Sequence, residues 1–162
     1  MNTVDLITLY RSKDITETWK SAQSLEVINH PQHGLISPNK YRAMFHGKPC
    51  PYCGQKMKHG NEFKTNLKKK AIELGYQYID KQGEKYINNV AGSCFFHPNY
   101  VTLDHKLNKA RFPEKLFDYD NLQIMCWRCN HEKGDNNAFD IQHTYQYLDA
   151  LAEETLERYQ VL

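Results

Sequence analysis

The sequence lacks any apolar run near the roughly 18 residues that a membrane-spanning helix needs, and it contains neither a repeat nor a low-complexity segment. Its opening residues, MNTVDLITLYRSKD, carry an acid at Asp5 and no apolar stretch ending in small residues. That excludes the pattern of a secretory signal peptide, so the expected compartment is the cytoplasm. No glycine-rich phosphate loop is present. His131-Glu132 opens a His-Glu-x-x-His pattern, but Asp135 stands where the second His is required, which excludes the zinc-protease helix. Charge of one sign is nearly absent as a net quantity, at +2 over 162 residues.

That balance conceals an asymmetry. Residues 40 to 70 carry nine basic side chains against Glu62 alone, whereas residues 118 to 162 carry nine acids against three bases. Such a division fits a polyanion approaching one side of the molecule, as well as two ordinary solvated faces. An apolar content of 40% with 25% charged residues predicts one globular domain with a core of its own.

Five cysteines stand at 50, 53, 94, 126 and 129. In a reducing compartment, two Cys-x-x-Cys units predict a metal site over disulfides or a redox dithiol. Four thiolates match tetrahedral zinc, each two-residue gap letting both sulfurs reach one ion at about 2.3 Å. Cys50-Pro-Tyr-Cys53-Gly54 reads as a tight turn of the zinc-knuckle kind. Cys94-Phe-Phe-His97 has Cys-x-x-His spacing and stands as a rival for one of the pairs.

Asp14-Ile-Thr-Glu17 has the form of a capping box and predicts a helix from about Asp14 to Asn29, broken by the His-Pro-Gln-His-Gly of residues 30 to 34. Ser37-Pro38 predicts a short helix ending at Gly47. Phe63, Leu67, Ala71 and Leu74 recur at helical spacing and predict a helix over 61 to 74. Short strands are expected at 76 to 79, 85 to 90, 101 to 105 and 122 to 125. Ile141, Tyr145, Leu148, Ala152, Leu156 and Tyr159 predict an amphipathic C-terminal helix packed on the core.

Asp104-His105 closes one predicted strand, Asn121-Leu-Gln opens the next, and Cys126-x-x-Cys129-Asn130-x-x-Lys133-Gly134 follows it. Together these residues resemble the HNH endonuclease motif framed by four zinc-binding cysteines, over about residues 47 to 136. The resemblance implies an α+β fold: a ββα-metal core framed by two zinc knuckles. N-terminal helices, an inserted helix-plus-hairpin segment and the C-terminal helix complete the expected architecture. Residues 1–46 then form a helical extension and 47–162 the nuclease domain, with an insertion at about 55–100, all in one compact unit.

The resemblance also implies roles. Asp104 and Asn130 become ligands of a catalytic Mg²⁺ or Mn²⁺ and His105 the general base. Asn121 ties the loop that orients His105, and Cys50, Cys53, Cys126 and Cys129 hold a structural Zn²⁺. DNA is the implied substrate, and Lys106, Lys109, Arg111 and Lys133 are the candidates for its phosphates. A bacterial or phage gene is the expected source, with a homodimer if both strands are cut. The sequence departs from the commonest pattern, Asp-His-x-x-Pro, in having Asn108 where proline stands, and its third signature position is Asn130 where many members have His. His131, next to it, becomes the ligand if the register slips by one. The competing reading is a zinc-dependent nucleic-acid-binding module that has the fold without turnover; it needs no intact base or metal ligand.

Overall fold

The computed structural model describes residues 12–134 and 139–158. Its first element is helix α1 (Ser12–Ser21), with Asp14 inside the first turn. The helix ends well short of Asn29, because the chain beyond it is claimed by a hairpin. Strand β1 (Ile28–His30) pairs antiparallel with β2 (Gly34–Ile36), and Ile28 faces Ile36 across the pair, both fully buried. Burying that pair outweighs continuing a helix through residues 28–30, so the N-terminal segment is a helix, a hairpin and a second helix. This last, α2 (Pro38–Ala43), starts on Ser37, whose hydroxyl accepts from the Lys40 N–H, with proline in the first turn.

The hairpin that organises the molecule lies far downstream. Strand β8 (Val101–His105) pairs with β9 (Leu122–Cys126) in the register Asp104 to Gln123 and His105 to Leu122. β9 runs directly into helix α4 (Trp127–Lys133). Every residue of β9 is buried, since one face of the hairpin meets the core and α4 covers the other. One apolar cluster joins Ile28, Ile36 and Tyr41 to Met57, Val101, Leu103, Ile124 and Met125. The N-terminal segment therefore shares its core with the β8–β9 hairpin.

Between the two cysteine pairs the chain builds a subdomain. Strand β7 (Cys94–Phe96) is flanked by β3 (Lys64–Thr65) and β6 (Asn89–Val90), and β4 (Tyr78–Ile79) pairs with β5 (Lys85–Tyr86). Its own small core comprises Ala71, Tyr76, Ile87 and Phe95. The helix expected over 61 to 74 is reduced to a 3₁₀ turn and α3 (Lys68–Glu73), because Lys64 and Thr65 pair with Phe96 and Phe95. Leu67 and Leu74, expected on its apolar face, are exposed.

Helix α5 (Phe139–Arg158) corrects the last expectation. Residues 145–158 are exposed throughout, including Tyr145, Leu148 and Leu156, so the part of the helix with described side chains does not pack on the core. The side chain of Ile141 and the whole of Tyr159 lie outside the described residues. Among the described residues, no helix is long and apolar enough to cross a membrane.

Candidate active site and cysteine metal centre

Residues two apart on a strand share a face about 6.7 Å apart, and residues three apart on a helix share a face with a rise of about 4.5 Å. β8 presents Thr102 and Asp104 in this way, and α4 presents Asn130 and Lys133. Asn130 Nδ2 donates to Thr102 Oγ1 at 3.1 Å, and Lys133 Nζ reaches Asp104 Oδ2 at 2.7 Å. A single register of helix on strand thus makes both contacts.

Each candidate group is oriented by a partner. Thr102 donates its own hydroxyl proton to the Met125 carbonyl at 2.9 Å, so it can only accept from Asn130. The amide nitrogen of Asn130 is thereby turned toward Thr102, and its Oδ1 faces away. Asp104 Oδ2 takes both the Lys133 ammonium and, at 3.0 Å, Gln123 Nε2, which leaves Oδ1 for a further partner. His105 Nε2 lies 2.9 Å from the Leu116 carbonyl. A carbonyl only accepts, so Nε2 carries the proton and Nδ1 the lone pair. Burial, more than any neighbouring charge, holds this imidazole below the ordinary histidine range, so it is neutral at pH 7. Trp19 of α1 packs edge-on against the ring, centroids 4.6 Å apart.

Asn121 is buried immediately before β9 and staples the loop from 106 to 120. Its Oδ1 accepts from the Leu107 N–H at 2.9 Å, and its Nδ2 donates to the Lys115 carbonyl at 3.2 Å. Since that loop carries Leu116, the Asn121 amide acts on His105 at one remove.

Lys133 requires a correction. Expected among the phosphate contacts, its ammonium is instead buried between Asp104 and the His105 carbonyl, 2.8 Å away. The last turn of α4 lies over the end of β8, which directs the side chain inward. Lys106 and Arg111 are exposed on the loop, and Lys109 borders an open groove of about 820 Å³ that also takes in Asp104, His105 and Asn130. His131 stacks on Tyr86 at 3.9 Å and faces Asp80 at 3.7 Å, tying α4 to the β4–β5 hairpin. Asn130 is thus the residue of that pair whose side chain meets Thr102 on β8.

The four cysteines 50, 53, 126 and 129 bring their sulfurs within 4.8 Å of one another, forming a site that can hold a structural metal such as zinc. A tetrahedron with bonds of about 2.3 Å has edges of about 3.8 Å, and Cys53 and Cys126 are 3.7 Å apart. Cys50 belongs to a turn closed by Gly54 N–H to Cys50 C=O, with Gly54 at φ +71°, a conformation open to glycine. Cys126 caps α4 and Cys129 lies in its first turn. Hydrogen bonds with Cys126 and Cys129 hold the Cys50 thiol strongly down, while hydrogen bonds with Cys126 and then Cys50, together with burial, push Cys129 up. Four sulfurs this close cannot all ionise unaided, and a divalent cation relieves that repulsion. Cys94 and His97 are not part of the cluster, and His97 Nδ1 is taken by the Asn99 N–H at 2.9 Å.

No family model, curated protein or solved structure matches this chain. The site therefore has to be read from its own geometry. That geometry adds residues that motif reading missed. Tyr52, inside the first cysteine turn, donates to Gln123 Oε1 at 2.8 Å, and Gln123 in turn donates to Asp104, linking the cysteine centre to the carboxylate. The strand register that sets Gln123 opposite Asp104 was the one signal that could have revealed this link. Strand alternation placed Thr102 on the face of Asp104, whereas Trp19 had no signal at all.

Proposed function

We propose that this chain is a metal-dependent HNH endonuclease, hydrolysing DNA phosphodiester bonds on a ββα-metal core clamped by a structural zinc on Cys50, Cys53, Cys126 and Cys129. One observation carries the reading. Nδ1 of His105, Oδ1 of Asp104 and Oδ1 of Asn130 are each left available by a hydrogen bond that occupies the other end of the same group. A neutral imidazole accepts a proton from the water that attacks phosphorus. Two hard oxygens suit Mg²⁺ or Mn²⁺ better than a softer metal. Bound there, such a cation supplies Lewis-acid stabilisation of the charge that develops on the phosphate and the leaving oxygen. Lys106, Lys109 and Arg111 stand beside β8 to hold the flanking phosphates, which positions a duplex without reading its sequence. One such site cuts one strand, so a double-strand break calls for a homodimer or two encounters.

A specific observation favours the other reading, a zinc-dependent nucleic-acid-binding module. The Lys133 ammonium already neutralises Asp104 with no divalent cation needed. Incubation with supercoiled plasmid and Mg²⁺ or Mn²⁺ separates the two. The nuclease accumulates nicked circles before linear DNA, and Asp104→Ala or Asn130→Ala abolishes nicking while zinc content stays the same. A protein that binds the plasmid and leaves it supercoiled with either metal is the binding module.

A further inference from the structure

We infer that Arg42, held by Gln23 and Asn39, is a built anchor for one backbone phosphate of a nucleic acid lying in the groove, away from the bond to be cut. The inference rests on the nucleic-acid reading above and extends it to the N-terminal segment.

The groove that borders Asp104 and His105 continues past Trp19 to Arg42, His59 and Lys64. Arg42 is half-buried there, and one of its nitrogens, Nη2, donates to Gln23 Oε1 at 2.5 Å and to Asn39 Oδ1 at 2.6 Å. Both acceptors are neutral amides. Among the described residues, no carboxylate forms an ion pair with this guanidinium. The cradle is itself braced: Gln23 Nε2 donates to the Trp19 carbonyl, and the Asn39 N–H to the Gln23 carbonyl.

Partly burying a cation against neutral groups costs free energy that an anion would offset. A guanidinium offers five N–H donors in a planar fork. The two on Nη2 are spent on the cradle, so the three on Nη1 and Nε remain, a geometry suited to the oxygens of a phosphate. Because the amides already fix the side chain, little rotamer freedom is lost when the anion arrives. The surroundings add positive charge. His59 is held below its ordinary range first by burial and then by the charges of Arg42, His46 and Lys64, against the opposing charge of Glu62.

Position ties this anchor to the chemistry. Trp19 touches both ends: its carbonyl braces Gln23, and its ring packs on His105. Helix α1 therefore sets the spacing between a phosphate on Arg42 and the His105 imidazole.

The test is equilibrium binding of a labelled duplex by the full-length protein over a series of salt concentrations, without added divalent cation. Arg42→Gln is expected to weaken binding and to reduce the slope of log K against log salt by about 1. Gln23→Glu guards against a folding defect, since it keeps Arg42 in place but pairs it with a carboxylate. It is expected to weaken DNA binding in the same way while leaving zinc content and thermal midpoint unchanged or improved. Wild-type slope and affinity in both folded variants overturns the anchor, whether or not the protein cuts. Reduced slopes in both variants, with a wild-type protein that never nicks plasmid, uphold the anchor and overturn the nuclease reading. A wild-type protein that binds no duplex at all overturns both.

Discussion

His105 and Lys133 sit within one hydrogen bond of each other, yet their substitution should read out differently. His105→Ala removes the proton acceptor, neither candidate ligand and little charge, because burial keeps the imidazole neutral. Cutting is expected to slow at least about 10²-fold, and DNA affinity at fixed salt should hold, since it rests on Lys and Arg contacts to phosphate. An unchanged rate would remove His105 from the reaction. Lys133→Ala is expected to cost about 1–3 kcal/mol, because it removes the ammonium from a partly buried Asp104 carboxylate that keeps only Gln123 and the open groove as partners. Urea unfolding measures that loss. The salt dependence of DNA binding should not change, whereas a phosphate contact would lower it by about one unit; a lowered slope would return Lys133 to the DNA surface.

Between β8 and α4, the single hydroxyl of Thr102 decides where the Asn130 amide oxygen points. Thr102→Val preserves volume but leaves Asn130 Nδ2 and the Met125 carbonyl without this partner, at about 1–3 kcal/mol. The half-saturating Mg²⁺ or Mn²⁺ for cutting is expected to rise about 10- to 100-fold, the usual consequence of losing a group that orients a ligand. Zinc content should stay the same, because the hydrogen bonds of the Thr102 hydroxyl go to Met125 and Asn130 and not to a cysteine. Unaltered metal dependence would show that Asn130 needs no such orientation. The four-cysteine cluster and the strands expected at 101–105 and 122–125 were legible in the sequence, since alternation, turn residues and cysteine spacing are local signals. The hairpin at 28–36 was not, because its pairing is set by two isoleucines that only tertiary burial rewards.

Across the molecule, the cysteine centre and the main core are one structure: Cys50, Cys126 and Cys129 belong to the same apolar cluster as Ile28, Ile36 and Tyr41. Metal binding there is folding free energy. Cys126→Ser is expected to release the zinc, about one ion per chain by elemental analysis, and to expose the amides of residues 28–36 to hydrogen exchange although they lie far away in sequence. Cys94→Ser should keep the zinc. Loss of zinc from Cys94→Ser but not from Cys126→Ser would reassign the site.

Acid should also loosen the N-terminal hairpin and the inserted subdomain. His30 and His97 each use Nδ1 to accept a backbone N–H, from Gln32 and Asn99, and burial first of all holds both below the ordinary value of 6.5. As pH falls through that value the unfolded chain takes up protons before the folded one, so stability is complete above about pH 6.5 and declines below it. The urea midpoint is expected to drop between about pH 7.5 and about pH 5.5, and to drop less in His97→Gln. An equal drop in that variant would exclude His97 as a contributor.

By itself the sequence determined a mixture of helices and strands and the four cysteines that cluster, because each depends on residue type and on spacing within a few positions. Only the tertiary structure decided where Lys133 points, that Gln123 couples Tyr52 to Asp104, that Trp19 covers His105, and that neutral amides cradle Arg42. It also left residues 145–158 exposed despite their helical pattern of apolar residues. These outcomes share one physical reason. A periodic pattern states which face of an element can be buried, but what meets that face depends on pairings between distant segments, and those are decided by packing.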